Sequence, residues 1–166
     1  MCNSLRELRA YQMHVPTVEA AFPSLRMLEV WVHEVAYCID MDVDLEACVG
    51  NKQHRLQHWR RLPMLKGDVS GLWTLALSDL SVQVLDIAVG SWKDHEDSSA
   101  LIDTLRQIDV AALRLQLYST DKLDLLNGPD FAAAAAHVRM IEVDLNLSSH
   151  DFSIDRLMVF LVSYGL

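Results

Sequence analysis

The sequence predicts an α/β protein in which five to six repeats form an open, right-handed solenoid, with a parallel sheet on one face and helices on the other. Three observations predict this class. A short apolar pattern recurs along the chain, most copies are separated by similar distances, and a charged residue occupies the same place in every copy. The most similar copies are "VQVLDIAV" from Val82, "VAALRLQL" from Val110 and "VRMIEVDL" from Val138.

Length and composition predict a single globular domain spanning residues 1–166. Of the 166 residues, 51% are hydrophobic and 22% are charged, a balance that allows a buried core and argues against intrinsic disorder. A formal net charge of −9 disfavours nucleic acid and an anionic membrane as partners. The 3 cysteines leave at least one unpaired and form no CxxC motif. We therefore expect reduced thiols and a cytoplasmic or nuclear location.

The repeat unit is an L-x-x-L-x-L pattern, whose second half alternates as a strand does. Copies begin near positions 5, 25, 62, 82, 110 and 138, and the last two intervals are equal in length. All but one of the intervals fit the roughly 20 to 29 residues of a leucine-rich repeat. The exception is the interval from Leu25 to Leu62, which is longer and predicts an insertion at about residues 38–58. The predicted fold is therefore a leucine-rich-repeat-like solenoid.

Charged residues between the second and third apolar positions provide an independent test of this register. The strand period places them on the sheet face away from the helices. Their sign alternates from copy to copy, and opposite charges on neighbouring strands are favourable. We expect them to be exposed and to lie side by side across the sheet. The six residues are Arg9, Glu29, Lys66, Asp86, Arg114 and Glu142.

The intervals between the predicted strands contain helical patterns, which parallel strands need for their crossover connections. In the last of these patterns, Ile154, Leu157, Met158 and Leu161 are expected to face inward. The segment from Gly71 to Leu80 is expected to be apolar cover between two strands, and the alternative is a short hairpin-like strand. The other predicted helices are "SSALIDTLRQID", "STDKLDLLNGP" and "DFAAAAAHV".

Motifs for catalysis and metal binding are missing from the sequence. It contains no nucleophile elbow, no Walker loop and no dinucleotide-binding glycine motif. The acidic residues at alternate positions from Asp40 to Glu46 fit a strand with a solvated face better than a calcium loop. His54 and His58 are four positions apart in a predicted basic helix, with no third metal ligand. We predict no catalytic residue, metal or cofactor. The alternative is a small α/β enzyme or metal-binding protein that uses residues 40–58.

Candidate partner-binding residues fall into two groups. One group lies in a basic segment, where tryptophan and arginine are the residue types that dominate interface energetics. The other group is expected beside the alternating charges, on the face with which solenoids bind. The first group is Trp59, Arg60 and Arg61, and the second is Trp31, His33, Arg114, Tyr118, Glu142, Asp144 and Asn146.

The motifs "FPSLRMLEVWV", "WRRLPMLKGDVSGLWTLALSDLSVQVLDIAV" and "VRMIEVDLNLS" resemble the irregular leucine-rich repeats behind the F-box of fungal and plant F-box-like proteins. The resemblance covers most of the chain from Leu5 to Leu166. It implies a protein-recognition module that captures a substrate for a ubiquitin ligase and serves as the adaptor's substrate-binding region. It does not extend to the F-box, and the asparagine typical of regular repeats is found only as Asn146.

The last two copies, which start at Val110 and Val138, set the step of the repeat at its C-terminal end. One further step of the same length beyond Val138 falls on Leu166, just after an apolar helix, and no polar segment caps the repeat stack there. We therefore expect the C-terminal end of the stack to be covered by a partner, by further repeats or by self-association.

Overall fold

The computed structural model describes residues 5–11, 13–31, 49–89, 94–118, 120–146 and 153–163. Its centre is a single sheet of six parallel strands that lie in chain order. The predicted α/β class, the parallel sheet and the order of the copies are confirmed. The strands are β1 (Glu7–Tyr11), β2 (Met27–Trp31), β3 (Arg61–Asp68), β4 (Leu80–Val89), β5 (Ile108–Leu117) and β6 (Met140–Leu145).

The register of the sheet agrees with the predicted charge series. Arg9 is aligned with Glu29, and Glu29 with Lys66. The series continues through Asp86 and Arg114 to Glu142 without a slip. Because a slip of one residue would turn every side chain to the other face, the alternating charges and the apolar template support the same alignment.

Helices lie between the strands and pack against one face of the sheet. A 3₁₀ turn at Thr120–Lys122 precedes the fourth helix, and residues 49–52 are also helical. None of the described helices is long and apolar enough to cross a membrane. The helices are α1 (Val15–Ala21), α2 (Val69–Leu75), α3 (Asp94–Gln107), α4 (Leu123–Leu126), α5 (Pro129–Ala134) and α6 (Ile154–Ser163).

The core lies between the sheet and the helices. Leu65, Leu85 and Leu113 are adjacent across three strands, and each is exposed by 1% or less. Helix α2 overlaps the first half of the Gly71–Leu80 segment, which was predicted to be apolar cover, and its Leu72 and Leu75 are buried in the same cluster. Apolar burial of this kind is the main favourable contribution to folding.

A close approach of the end of β3 and the start of α2 to the backbone of β2 explains why the third copy has Gly67 at its last apolar position. A Cβ atom on Gly67 would lie 2.0 Å from the carbonyl oxygen of Val30, and one on Gly71 would lie 2.9 Å from the same atom. Asp68, which lies between the two glycines, caps the amino-terminal end of α2 by accepting a hydrogen bond from the Gly71 N–H at 2.7 Å. Only glycine allows the chain to turn from strand to helix this close to β2.

The last helix differs from its prediction. Ile154 and Met158, expected to face inward, are 64% and 53% exposed, so the prediction is wrong for both. Leu157, also expected to face inward, is half-buried and packs on the core beside Phe160, which is 8% exposed, so the prediction is confirmed for Leu157. The side chain of Leu161 lies outside the described part of the structure. Helix α6 packs on α4 and the preceding 3₁₀ turn. The contact with α4 therefore determines which face of α6 is buried. The spacing of apolar residues within α6 could not predict that contact.

Candidate recognition surface

The sheet face opposite the helices, called the open face below, presents its side chains in rows. Side chains two positions apart along a strand share a face, so each register position forms one row across six strands. The middle row contains the alternating charges and is called the charged row. The row on its amino-terminal side is mostly apolar and is called the methionine row. Its members are Glu7, Met27, Met64, Val84, Ala112 and Met140.

The charged row forms three ion pairs. Arg9 Nη2 lies 3.3 Å from Glu29 Oε1, Lys66 Nζ lies 3.6 Å from Asp86 Oδ2, and Arg114 Nε lies 3.0 Å from Glu142 Oε2. The hydrogen bond to Glu142 and its charge, with smaller contributions from Asp86 and Asp144, raise the pKa of Arg114. These contacts bring neighbouring strands together at every second interface of the sheet.

Burial differs along the charged row. The side chains of Arg9 and Glu142, at its two ends, are 60% and 51% exposed, whereas that of Asp86 is only 4% exposed. The expectation that every charge is exposed is therefore wrong for the centre of the row. A buried carboxylate requires partners. Asp86 has Lys66 and also accepts a hydrogen bond from Gln116 Nε2 at 2.8 Å.

Gln116 is a surface residue that sequence reasoning missed. Its Oε1 accepts a hydrogen bond of 3.4 Å from the hydroxyl of Tyr118, while its Nε2 donates to Asp86. The three residues form a chain of hydrogen bonds from the buried centre of the charged row to an exposed aromatic ring. The strand period was the available signal, because Gln116 lies two positions from both Arg114 and Tyr118.

At the other end of the open face, Trp31 belongs to a second polar cluster. Its Nε1 donates a hydrogen bond of 2.7 Å to Glu29 Oε1, the same oxygen that faces Arg9. The guanidinium of Arg9 lies 6.0 Å from the centre of the Trp31 ring, at the outer limit of a cation–π contact. These contacts hold the half-buried indole against the sheet.

Six of the ten predicted partner-binding residues lie on the open face or directly after one of its strands. Parallel strands place Trp31, Tyr118 and Asn146 at the same carboxyl-terminal edge. Arg60 and Arg61 are exposed, but they lie at the amino-terminal end of β3 and so at the opposite edge. His33 lies outside the described residues. The six are Trp31, Arg114, Tyr118, Glu142, Asp144 and Asn146.

Trp59 is not a surface residue. Its side chain is 1% exposed and its Nε1 donates a hydrogen bond of 2.9 Å to the carbonyl of Phe22. The basic helix expected around His54 and His58 is also wrong, because residues 54–60 form an irregular segment. The strand expected from Asp40 to Glu46 lies outside the described residues.

Glu19 explains why this segment is irregular. The carboxylate of Glu19, in α1, is 1% exposed. Its Oε1 accepts the backbone N–H groups of Gln57, His58 and Trp59 at 2.8, 2.6 and 2.9 Å. His54 Nε2 lies 2.7 Å from the other oxygen, Oε2. A helix would use these N–H groups internally, so binding to the carboxylate competes with helix formation.

These hydrogen bonds outweigh the effect of burial on the charge of Glu19. Burial by itself raises the pKa of the carboxyl group. The N–H of Trp59, the imidazole of His54 and the N–H groups of His58 and Gln57 together lower it further than burial raises it. The net result is a lowered pKa, so Glu19 is a carboxylate at neutral pH.

Asn51 is a second buried polar contact of the insertion, and it too was missed. Its side-chain oxygen accepts the N–H of Val15 at 3.0 Å. Its amide nitrogen donates to the carbonyls of Met13 and Thr74 at 3.1 and 2.8 Å. Asn51 thus connects the start of α1 with the end of α2. No sequence pattern marks it, because all its partners are backbone groups.

Two open depressions lie near the amino-terminal ends of the strands. The larger, of about 430 Å³, is lined in part by Asp79, Arg106, Asp109 and His137. The smaller, of about 270 Å³, is lined by Arg55, Leu56, Arg60 and Asp79. Ligand sites of open parallel sheets lie instead at the carboxyl ends of the strands. Among the described residues, no group of three His, Cys, Asp or Glu is arranged to hold a metal ion.

Comparison with known proteins found no matching family model, no significantly similar curated protein and no significantly similar solved structure. The class that the fold defines is an α/β protein with one six-stranded, all-parallel sheet. The resemblance to leucine-rich repeats and the alternative of an enzyme or metal-binding protein both stay predictions.

Proposed function

We propose that the chain is a protein-recognition module of the leucine-rich-repeat kind, and that the open face binds the partner. The observation that supports this most strongly is the alignment of six parallel strands in chain order, with their rows in register across the sheet. Stacked repeats use such extended faces to bind other macromolecules. The equal spacing of the copies that start at Val82, Val110 and Val138 supports the same class.

The residue types of the open face suit a protein partner. Tyr118 is 37% exposed, and Arg114 has a side-chain exposure of 41%. Tyrosine, tryptophan, methionine and arginine are enriched in protein interfaces. The methionine row adds flexible apolar side chains that can adapt to the shape of a partner. The charges alternate along the row, so the partner would be selected by their pattern more than by net charge.

We further propose that the partner is a substrate and that the chain is the substrate-binding region of an F-box-like ubiquitin-ligase adaptor, without catalytic activity of its own. The sequence resemblance supports this role.

Affinity capture with matched variants tests recognition by the open face. In the first variant, Tyr118→Ala, Asp144→Ala and Asn146→Ala together shorten three exposed side chains beside the charged row. In the control, Asp103→Ala, Asp124→Ala and Asp130→Ala shorten three solvent-accessible side chains on the helices. We expect proteins crosslinked to the wild type to be lost from the first variant and kept by the control. Equal capture by all three chains would contradict the proposal.

The proposed ligase role needs a separate experiment. An F-box segment fused to the chain should recruit a ligase core, and the captured protein should then be ubiquitinated in a reconstituted reaction. The open-face variant should lose this modification, whereas the helix-side control should keep it. Capture without modification would leave the chain a recognition module and would overturn its role as a ligase adaptor.

A further inference from the structure

We propose that a second copy of the chain adds its first strand to the exposed edge of the last strand, so that β1 of one copy extends the sheet of the other in parallel and in register. Among the described residues, the outer edges of β1 and β6 have no strand partner. Unpaired strand edges expose N–H and C=O groups that can pair with another chain. The proposal concerns these edges and is independent of the function proposed for the open face.

The edge at β6 exposes apolar side chains that the other strands bury. Ile141 occupies the same template position as Leu113, yet Ile141 is 41% exposed and Leu113 only 1%. Met140 is 56% exposed at the end of the methionine row. In the helix after β6, Ile154 and Val162 are exposed by 64% and 72%. Apolar side chains exposed on an unpaired edge strand favour pairing with another chain.

β1 has the pattern that this edge requires. The rows of the sheet run from Glu7, Leu8, Arg9 and Ala10 at one edge to Met140, Ile141, Glu142 and Val143 at the other. If the same rows continued into a second copy, Leu8 would lie beside Ile141 and Ala10 beside Val143. Both Leu8 and Ala10 are only half-buried in a single copy.

The charges determine which edges can meet. Six alternating charges begin with Arg9 and end with Glu142, so a second copy placed head to tail puts a cation beside an anion and continues the alternation. A symmetric pair of β6 edges would bring Glu142 and Asp144 close to the same residues of its partner. Like charges on facing strands are destabilising. Charge complementarity therefore favours pairing of β1 with β6 over pairing of two β6 strands.

Such a contact is heterologous, and a heterologous contact that does not close into a ring continues as a filament. Sedimentation velocity over a concentration series tests it with two edge variants. Ile141→Lys blocks the β6 edge, and Leu8→Lys blocks the β1 edge. Ala132→Lys adds the same charge on the exposed surface of α5 as a control. Circular dichroism and unfolding midpoints verify that each variant folds. If Leu8→Lys does not fold, Arg9→Glu replaces it at a side chain that is 60% exposed.

We expect the wild type and Ala132→Lys to form species larger than dimers as concentration rises. Each edge variant alone should stay monomeric. An equimolar mixture of the two should reach twice the mass of either variant and grow no further, because each pair has one productive contact and two blocked ends. Dimers of Leu8→Lys alone would indicate β6 against β6 and overturn the proposal. A wild type that stays monomeric over the whole series would also overturn it.

Discussion

The two halves of the sheet are held together by different kinds of contact. In the half that contains β4 to β6, successive repeats start at equal spacing. Apolar residues at the same position of the repeat lie side by side on adjacent strands. In the half that contains β1 to β3, the spacing is irregular, and two buried polar side chains, Glu19 and Asn51, connect the insertion to the helices. The regular repeats thus share one apolar template and contain the buried Asp86, which is paired across the sheet, whereas the inserted segment is attached through polar side chains that bind mostly backbone groups.

The largest loss of stability is expected from a substitution in the half that contains β4 to β6. Leu113→Ala removes a side chain that is 1% exposed and that packs between Leu85 and Ile141. We expect it to lower the free energy of unfolding by about 2 to 5 kcal/mol. Met140→Ala, at a residue that is 56% exposed, is the control and should cause little change. Urea unfolding followed by circular dichroism measures both. Equal effects of the two variants would show that packing across β4 to β6 contributes little.

The irregular half should be nearly as sensitive at Asn51. Asn51→Ala removes three hydrogen bonds and leaves the groups of Met13, Val15 and Thr74 without them. The expected loss in the free energy of unfolding is about 2 to 4 kcal/mol. Asn127→Ala, at an exposed asparagine, provides the control. If the urea midpoint of Asn51→Ala equals that of the wild type, the hydrogen bonds of Asn51 do not stabilise the attachment of the insertion.

These two sites also show what the sequence could predict. The strands and the charged row could be predicted from spacing, because backbone geometry fixes which residues share a face of a strand. Glu19 and Asn51 could not, because most of their partners are backbone groups that any sequence supplies. The basic segment around Trp59 predicts a surface position for this residue, whereas its burial depends on how the chain turns around Glu19. On the open face, the strand period predicts the positions of Tyr118 and Asn146. It does not predict the hydrogen bonds that Gln116 makes.

A smaller effect, with a defined pH dependence, is expected at Glu19. Glu19→Gln replaces a carboxylate that accepts three N–H groups and faces His54 with a neutral amide. At neutral pH we expect a loss of about 1 to 2 kcal/mol, since hydrogen bonds to a charged group are the stronger ones.

The pKa of Glu19 is lowered in the folded state, so its stabilising contribution is present above the ordinary glutamate pKa of about 4.3. It is lost as the pH falls below that value, towards the lowered pKa of the folded state. Urea unfolding at a series of pH values should therefore show the wild type and Glu19→Gln converging in acid. The exposed Glu7→Gln is the control. A difference that stays constant down to acid pH would contradict a charged Glu19.

The smallest effects separate the centre of the charged row from its end. Asp86→Asn keeps an oxygen that can accept from Gln116 but removes the charge that faces Lys66, at a side chain with 4% exposure. We expect a loss of about 1 kcal/mol, because the bond to Gln116 becomes a neutral one, while Lys66, whose side chain is 30% exposed, can be hydrated when its ion pair is lost. Glu142→Gln, with a side-chain exposure of 51%, should leave the unfolding midpoint unchanged, because exposed ion pairs contribute little to stability.

The same two variants separate stability from recognition on the open face. If exposed charges at the end of the row serve binding, Glu142→Gln should weaken capture of the partner while the chain unfolds as the wild type does. Asp86→Asn should lower stability and change capture less, because its side chain is buried. Parallel measurement of urea midpoints and of crosslinked partner would test this division. The reverse result, a stability loss at Glu142 without a loss of binding, would make the charged row a structural feature of the sheet alone.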